Sequence, residues 1–175
     1  EALGLLLQGS VPRSVALKIQ VDDAELSFEG NHTELQQCLL NLCFNAIQAM
    51  PDGGSLRVSA GETTLAVDFF RAEEEPRPGR YLRLSVADTG TGMSPQVLGR
   101  LFEPFFTTKE GGTGLGLLSC KRIVASHGGV MRVSSAPGEG TCFDLYIPLP
   151  GSQAEAEAQD PLPGRGERVL VVTEE

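Results

Sequence analysis

The stretch Asn41-Leu-Cys-Phe-Asn45-Ala-Ile-Gln48-Ala49 decides the fold, because it sets two asparagines one helical turn apart in an otherwise apolar segment. Across 35–49, apolar residues recur at 35, 39, 42, 46 and 49, with a second stripe at 40, 44 and 47. Most of the circumference of a helix is then core. Asn41, Asn45 and Gln48 share the strip that remains. An unpaired buried amide costs about 1–3 kcal/mol. The strip must therefore bond to neighbouring backbone or be offered to a polar ligand, and a cation with phosphate oxygens would suit it. The helix alone leaves both readings open.

Working outward, Thr33 with Gln36 and Asn31 with Glu34 have capping-box spacing, which puts the helix start near Thr33. Pro51-Asp-Gly-Gly ends it. Upstream, 2–7 is helix-like, 15–21 reads as an edge strand, and a turn-rich gap runs through Gly30. Downstream, 56–60 and 81–87 alternate as strands, with Leu82, Leu84 and Val86 on one face and Arg83 and Ser85 on the other. Between them lies a charged insertion, roughly 61–80, whose Glu73-Glu-Glu-Pro-Arg-Pro-Gly portion reads as a solvated loop at a hairpin end. Residues 90–116, rich in Gly, Thr, Pro and Phe, give no regular structure, which is long for a passive connection. A helix over 114–126, closed by His127-Gly-Gly, and strands over 130–135 and 141–147 complete a mixed α and β order without βαβ alternation.

At 175 residues and 41% hydrophobic content, the chain suits one domain with a real core plus a tail. Cys38, Cys43, Cys120 and Cys142 form no Cys-x-x-Cys pair and read as buried thiols in a reducing compartment. No run approaches the 18 or so apolar residues that span a bilayer, so this piece reads as soluble and cytoplasmic, without membrane contact, whatever anchors a longer parent protein. The formal charge of −9 argues against a nucleic-acid surface. It does not exclude a nucleotide, whose phosphate charge a divalent ion can offset.

Three further segments carry chemistry. Asp88-Thr-Gly90-Thr-Gly92-Met93 follows a strand. It places a carboxylate where glycines admit a flat ligand, or it is simply a turn held by an Asp side chain. Gly111-Gly112-Thr113-Gly114-Leu115-Gly116 precedes a helix, where free N–H groups and the dipole favour phosphate. There is no Gly-x4-Gly-Lys-[Ser/Thr] phosphate loop and no Gly-x-Gly-x-x-Gly directly after a strand. Between the glycine segments lies Leu101-Phe102-Glu-Pro-Phe105-Phe106-Thr-Thr108-Lys109. Its phenylalanines read as packing anchors of a loop that can release, and Lys109 is the cation nearest in sequence to the phosphate site.

In order, the asparagine helix, Asp88-x-Gly-x-Gly, Leu-Phe-Glu-Pro-Phe-Phe-Thr-Thr-Lys, Gly-Thr-Gly-Leu-Gly-Leu, Ile123-Val-x-x-His127-Gly-Gly and Gly138-x-Gly-Thr-x-Phe143 resemble the successive boxes of the sensor histidine kinase catalytic and ATP-binding domain. That domain belongs to the superfamily of gyrase, Hsp90 and MutL-type ATPases. The resemblance covers about residues 10 to 150 and implies an α+β fold of the Bergerat type. Three helices would lie on a mixed sheet of about five strands, with residues 93–113 as a mobile ATP lid.

By position it implies that Asn45 coordinates the Mg²⁺ bridging the ATP phosphates, with Asn41 assisting. Asp88 would bind the adenine amine, supported by Thr141 through water. Gly90 and Gly92 would admit the nucleotide, which Met93, Thr108, Thr113 and Leu115 also contact. The phosphates would rest on the amides of Gly112, Gly114 and Gly116 and on Lys109. The catalytic set is then Asn41, Asn45 and Lys109.

Position 41 separates two reaction types. The gyrase and Hsp90 branch carries a glutamate one turn before the metal-binding asparagine, to activate water, and an amide such as Asn41 is no general base. The resemblance therefore implies transfer of the γ-phosphoryl group to a histidine on a separate helical domain. Two other readings are a noncatalytic nucleotide-gated interaction module and a slow ATPase of the gyrase type. In many histidine kinases a cation follows the metal-binding asparagine, whereas Ile47 and Gln48 carry no charge, leaving the phosphate contact to Lys109. The helical hairpin with its phosphoacceptor is missing, and neither His32 nor His127 suits that role. The boundaries expected are 1–150 for the catalytic domain, 151–167 for a flexible linker, and 168–175. This last stretch, Arg168-Val-Leu-Val-Val172, resembles the first strand of a response-regulator receiver, as in a hybrid kinase feeding a phosphorelay; an ordinary buried strand reads equally well.

Overall fold

The computed structural model describes residues 10–22, 28, 30–71, 77–109 and 111–151. The helix-like run at 2–7, the linker and the receiver-like strand lie outside them. Among the described residues five strands form one sheet: β1 (Val15–Val21), β2 (Gly54–Leu65), β3 (Gly79–Asp88), β4 (Val130–Ala136) and β5 (Gly140–Pro148), in the spatial order β1-β2-β3-β5-β4. β1 runs parallel to β2 and the other pairs are antiparallel, so the sheet is mixed. Among the described residues three α-helices accompany it: α1 (His32–Gln48), α2 (Pro95–Arg100) and α3 (Gly116–Ser126). Among the described residues no helix is long and apolar enough to cross a membrane. The expected α+β architecture is the observed one.

Alternation along the strands makes the two layers. Register sets Leu82 beside Ile147, Leu84 beside Leu145 and Val86 beside Phe143, and all six side chains are buried in the core beneath α1 and α3. α1 contributes Leu35, Cys38, Leu39, Leu42, Cys43 and Ala46. Burying a side chain such as Leu42, which is fully enclosed, stabilises the fold by about 1.5–3 kcal/mol. Cys38, Cys43 and Cys120 are buried and all four thiols are free, Cys142 being half-buried. Burial pushes Cys43 up to about 12, as expected of an inert core thiol.

Local chemistry accounts for the boundaries. Asn31 caps α1, its Oδ1 accepting from the N–H groups of Thr33 at 3.0 Å and Glu34 at 3.3 Å, so the helix starts just before the expected Thr33. α2 lies inside the stretch read as irregular. Ser94 Oγ accepts from Val97 N–H, and Pro95 occupies the first turn, a start signal hidden by the surrounding glycines.

Within the insertion the strands run further than the expected 56–60 and 81–87, while residues 72–76 of the expected loop lie outside the described residues. β2 continues to Leu65 and β3 begins at Gly79, paired in register, with Arg80 bridging Glu62 at 2.6 Å. Beyond Leu65, a short 3₁₀ turn at Val67–Phe69 brings Phe69 and Phe70 against Leu65, Tyr81 and Tyr146. That aromatic cluster covers part of the sheet face opposite the helices, and gives the segment apolar burial that its charge count conceals.

Candidate functional site

A cleft of about 350 Å³ opens between α1, the C-terminal end of β3, the start of β5 and the segment 91–117. At its closed end lies Asp88, a buried carboxylate at the last position of β3. Its Oδ1 accepts from the backbone N–H of Gly90 at 2.8 Å and of Thr141 at 3.2 Å. With both of these bonds on Oδ1, Oδ2 is left for a ligand amine. Burial pushes the Asp88 carboxyl above the usual range, opposed by the two N–H donors and by the charge of Lys109.

A hydroxyl relay lies beside it. Ser135 Oγ donates to the Gly140 carbonyl at 2.8 Å and accepts from Met93 N–H at 2.9 Å. Its one proton is thereby used, so Thr141 Oγ1, 2.9 Å away, donates to it and keeps its own lone pairs for water or ligand. Ser135 ties the base of the 93–113 segment to the sheet. Sequence reading missed it, since a serine in a strand carries no local signal.

Gly92 supplies the bend that brings Met93 there. Its φ is +64°, and a β-carbon would collide with the Ala136 carbonyl.

At the open end, Lys109 Nζ donates to Asn45 Oδ1 at 2.7 Å and Gln48 Oε1 at 2.6 Å. Desolvation pulls the Lys109 ammonium below the usual lysine range, opposed by the charge of Asp88. Asn41 Nδ2 donates to Cys120 Sγ at 3.3 Å, and its amide lies against Gly116, where a β-carbon would meet Nδ2 at 2.8 Å and Oδ1 at 2.9 Å. Both asparagines line the cleft through side-chain partners, so the backbone-bonded reading is not the one observed. α3 begins without a side-chain cap, and Gly116 and Leu117 line the cleft at that end.

Most of the residues singled out from sequence therefore come together. Met93, Thr108, Gly112, Thr113 and Gly114 border the same cleft as Asn41, Asn45, Asp88, Gly92, Lys109, Gly116 and Thr141. Two do not line it. Gly90 is buried against Ala49, whose carbonyl oxygen a β-carbon would meet at 2.5 Å, so it serves the junction of α1 with β3. Leu115 is exposed. The phenylalanines also divide. Phe102 packs on the core under the ammonium of Lys121, and Phe106 lines the cleft with Arg100 over its ring. Phe105, read as an anchor, is instead 75% exposed; its φ is +65° and its backbone lies against Gly114.

The family described as histidine kinase-, DNA gyrase B-, and HSP90-like ATPase matches residues 30–151. Sensor histidine kinase ZraS of Klebsiella oxytoca is 35% identical over 156 residues, 89% of this chain and 31% of that kinase, so the chain spans about a third of that relative's length. Among solved structures, the catalytic domain of histidine kinase ThkA superposes with a TM-score of 0.66 at 28% identity, covering 84% of this chain and 89% of that one. Full-length ShkA in complex with AMPPNP superposes with a TM-score of 0.62 at 30% identity, covering 85% of this chain and 30% of that one.

Proposed function

The chain belongs to the histidine kinase-, DNA gyrase B- and HSP90-like ATPase family, and from that premise we propose that this ATP-binding domain transfers the γ-phosphoryl group of ATP to a histidine on a separate helical domain. The observation that carries the reading is a single cleft with a buried, pinned carboxylate at one end and an ammonium on two amide oxygens at the other. Asp88 would accept from the adenine amine through Oδ2, with Thr141 assisting through water. Gly92 and Met93 would border the base. Lys109, Thr108 and Thr113, with the backbone of Gly112, Gly114 and Gly116, would hold the phosphates.

Asn45 fits a hard cation, because its Oδ1 already faces a positive charge at 2.7 Å. A Mg²⁺ ion would take one amide oxygen here and the rest of its ligands from phosphate and water, the mode that ion favours. Bound there, it would neutralise phosphate charge during transfer.

What favours transfer over hydrolysis is Asn41. It stands where a water-activating base would be needed, and an amide accepts no proton at neutral pH. This chain's part is then positioning: holding ATP by both ends and closing the 93–113 lid against water. The product phosphohistidine would serve a response-regulator receiver, as the family resemblance implies.

Titration with AMPPNP, with and without Mg²⁺, tests the site. Wild type should bind more tightly with the ion, and Asn45→Ala should lose that difference. Addition of a helical domain bearing the acceptor histidine should then yield acid-labile phosphoprotein from ATP. ATP binding without transfer to any such domain would favour the interaction module. Rapid ADP release by the chain alone, unchanged in Asn41→Glu, would favour the ATPase.

A further inference from the structure

Gln48 stands at the C-terminal end of α1, exposed, and nothing in the core depends on its side chain. It nevertheless accepts one of the two shortest hydrogen bonds that reach Lys109, 2.6 Å from Nζ, beside the 2.7 Å bond to Asn45. The three-residue spacing puts both amide oxygens on one face of the helix.

The last turn of α1 has no basic residue of its own, and its side-chain amides receive a cation from a loop 61 positions away in the chain, where the helix dipole favours one. Among the described residues no carboxylate lies within ion-pair distance of Lys109. Its direct hydrogen-bond partners are two neutral amides, with the charge of Asp88 acting from further off, and bound phosphate would provide a counter-charge in contact. If Asn45 gives its oxygen to a metal ion, Lys109 loses one of its two partners, and Gln48 is the one that remains.

Resting on the nucleotide-site reading above, we propose that Gln48 is the positioning residue for Lys109: it keeps the ammonium on the phosphate side of the cleft while Asn45 serves the metal. Gln48 borders the cleft, and in this role it acts through the lid lysine, which the double-mutant cycle separates from a direct contact with the nucleotide.

A double-mutant cycle tests this, with Gln48→Leu, Lys109→Met and the pair titrated with AMPPNP in Mg²⁺ and, in parallel, with adenosine. Gln48→Leu should weaken AMPPNP about tenfold, the equivalent of one charge-assisted hydrogen bond. Adenosine binding and the melting temperature should be unchanged, and Gln48→Leu should add nothing in the Lys109→Met background. Undiminished AMPPNP binding by Gln48→Leu overturns the inference, as do independent effects that multiply or an equal loss with adenosine. Failure of wild type to bind AMPPNP at all would instead overturn the nucleotide site itself.

Discussion

Thr141 and Asp88 face each other across β5 and β3, and the Thr141 N–H donates to Asp88 Oδ1 at 3.2 Å. The sheet thus holds the carboxylate rigidly through backbone, on the same oxygen that Gly90 N–H occupies at 2.8 Å. The site group is held by the fold before any ligand arrives, at the expense of a desolvated charge.

That cost separates binding from stability. Burial raises the pKa of Asp88 above its ordinary 3.8, so between 3.8 and the raised value the native state holds a proton that the unfolded chain has released. Stability contributed by this group therefore falls as pH rises through the window, and the deficit persists at neutral pH. Asp88→Asn retains an amide oxygen for the two N–H donors and removes the charge. It should melt no lower than wild type at pH 7, with any gain fading below pH 3.8. Its AMPPNP affinity should fall by about 1.5–3 kcal/mol, or roughly ten- to 150-fold. Thermal denaturation at the two pH values and calorimetry check both halves; a large drop in melting temperature would assign Asp88 to the fold.

The polar strip of α1 was legible because three amides at helical spacing stand out against an apolar background, and Asp88 because glycines follow a strand. Partners brought in from elsewhere were not. Nothing near Asn41 announces Cys120, 79 positions away, and nothing near Asn45 announces that Lys109 will reach it. The same limit explains the insertion. Nothing near Phe69 announces Tyr146, which it meets at a 4.8 Å centroid distance, a contact set by β5. α2 was legible in principle, from Ser94 and Pro95, and was lost among glycines because only six residues follow its cap.

Gly116 offers a second way to separate fold from site. As the first residue of α3, it would gain helix propensity on replacement by alanine, up to about 1 kcal/mol. The new β-carbon, however, would lie 2.8–2.9 Å from the Asn41 amide and force that short side chain off Cys120. Gly116→Ala should therefore melt at or above the wild-type temperature while binding Mg²⁺ and AMPPNP about tenfold more weakly, the loss of one charge-assisted contact. Retained affinity would show that Asn41 does not need its observed position.

His127 predicts the opposite pattern. Asn31 N–H donates to its Nε2 at 2.9 Å, so Nδ1 carries the proton and donates to the Ile123 carbonyl at 2.7 Å. The imidazole thereby ties the C-terminal end of α3 to the capped start of α1, with Phe28 edge-on at 6.5 Å. Both ring nitrogens are occupied by backbone, which leaves neither available to receive a phosphoryl group without opening the helical layer. His127→Leu should remove both hydrogen bonds, each contributing about 0.5–1.5 kcal/mol, and lower the melting temperature by several degrees. AMPPNP affinity, measured below the melting transition, should hold, because none of these atoms borders the cleft. Incubation of wild type with ATP should leave His127 unmodified by mass spectrometry. A phosphate found there would mean that the α1–α3 junction opens far more readily than two backbone hydrogen bonds and a packed ring allow.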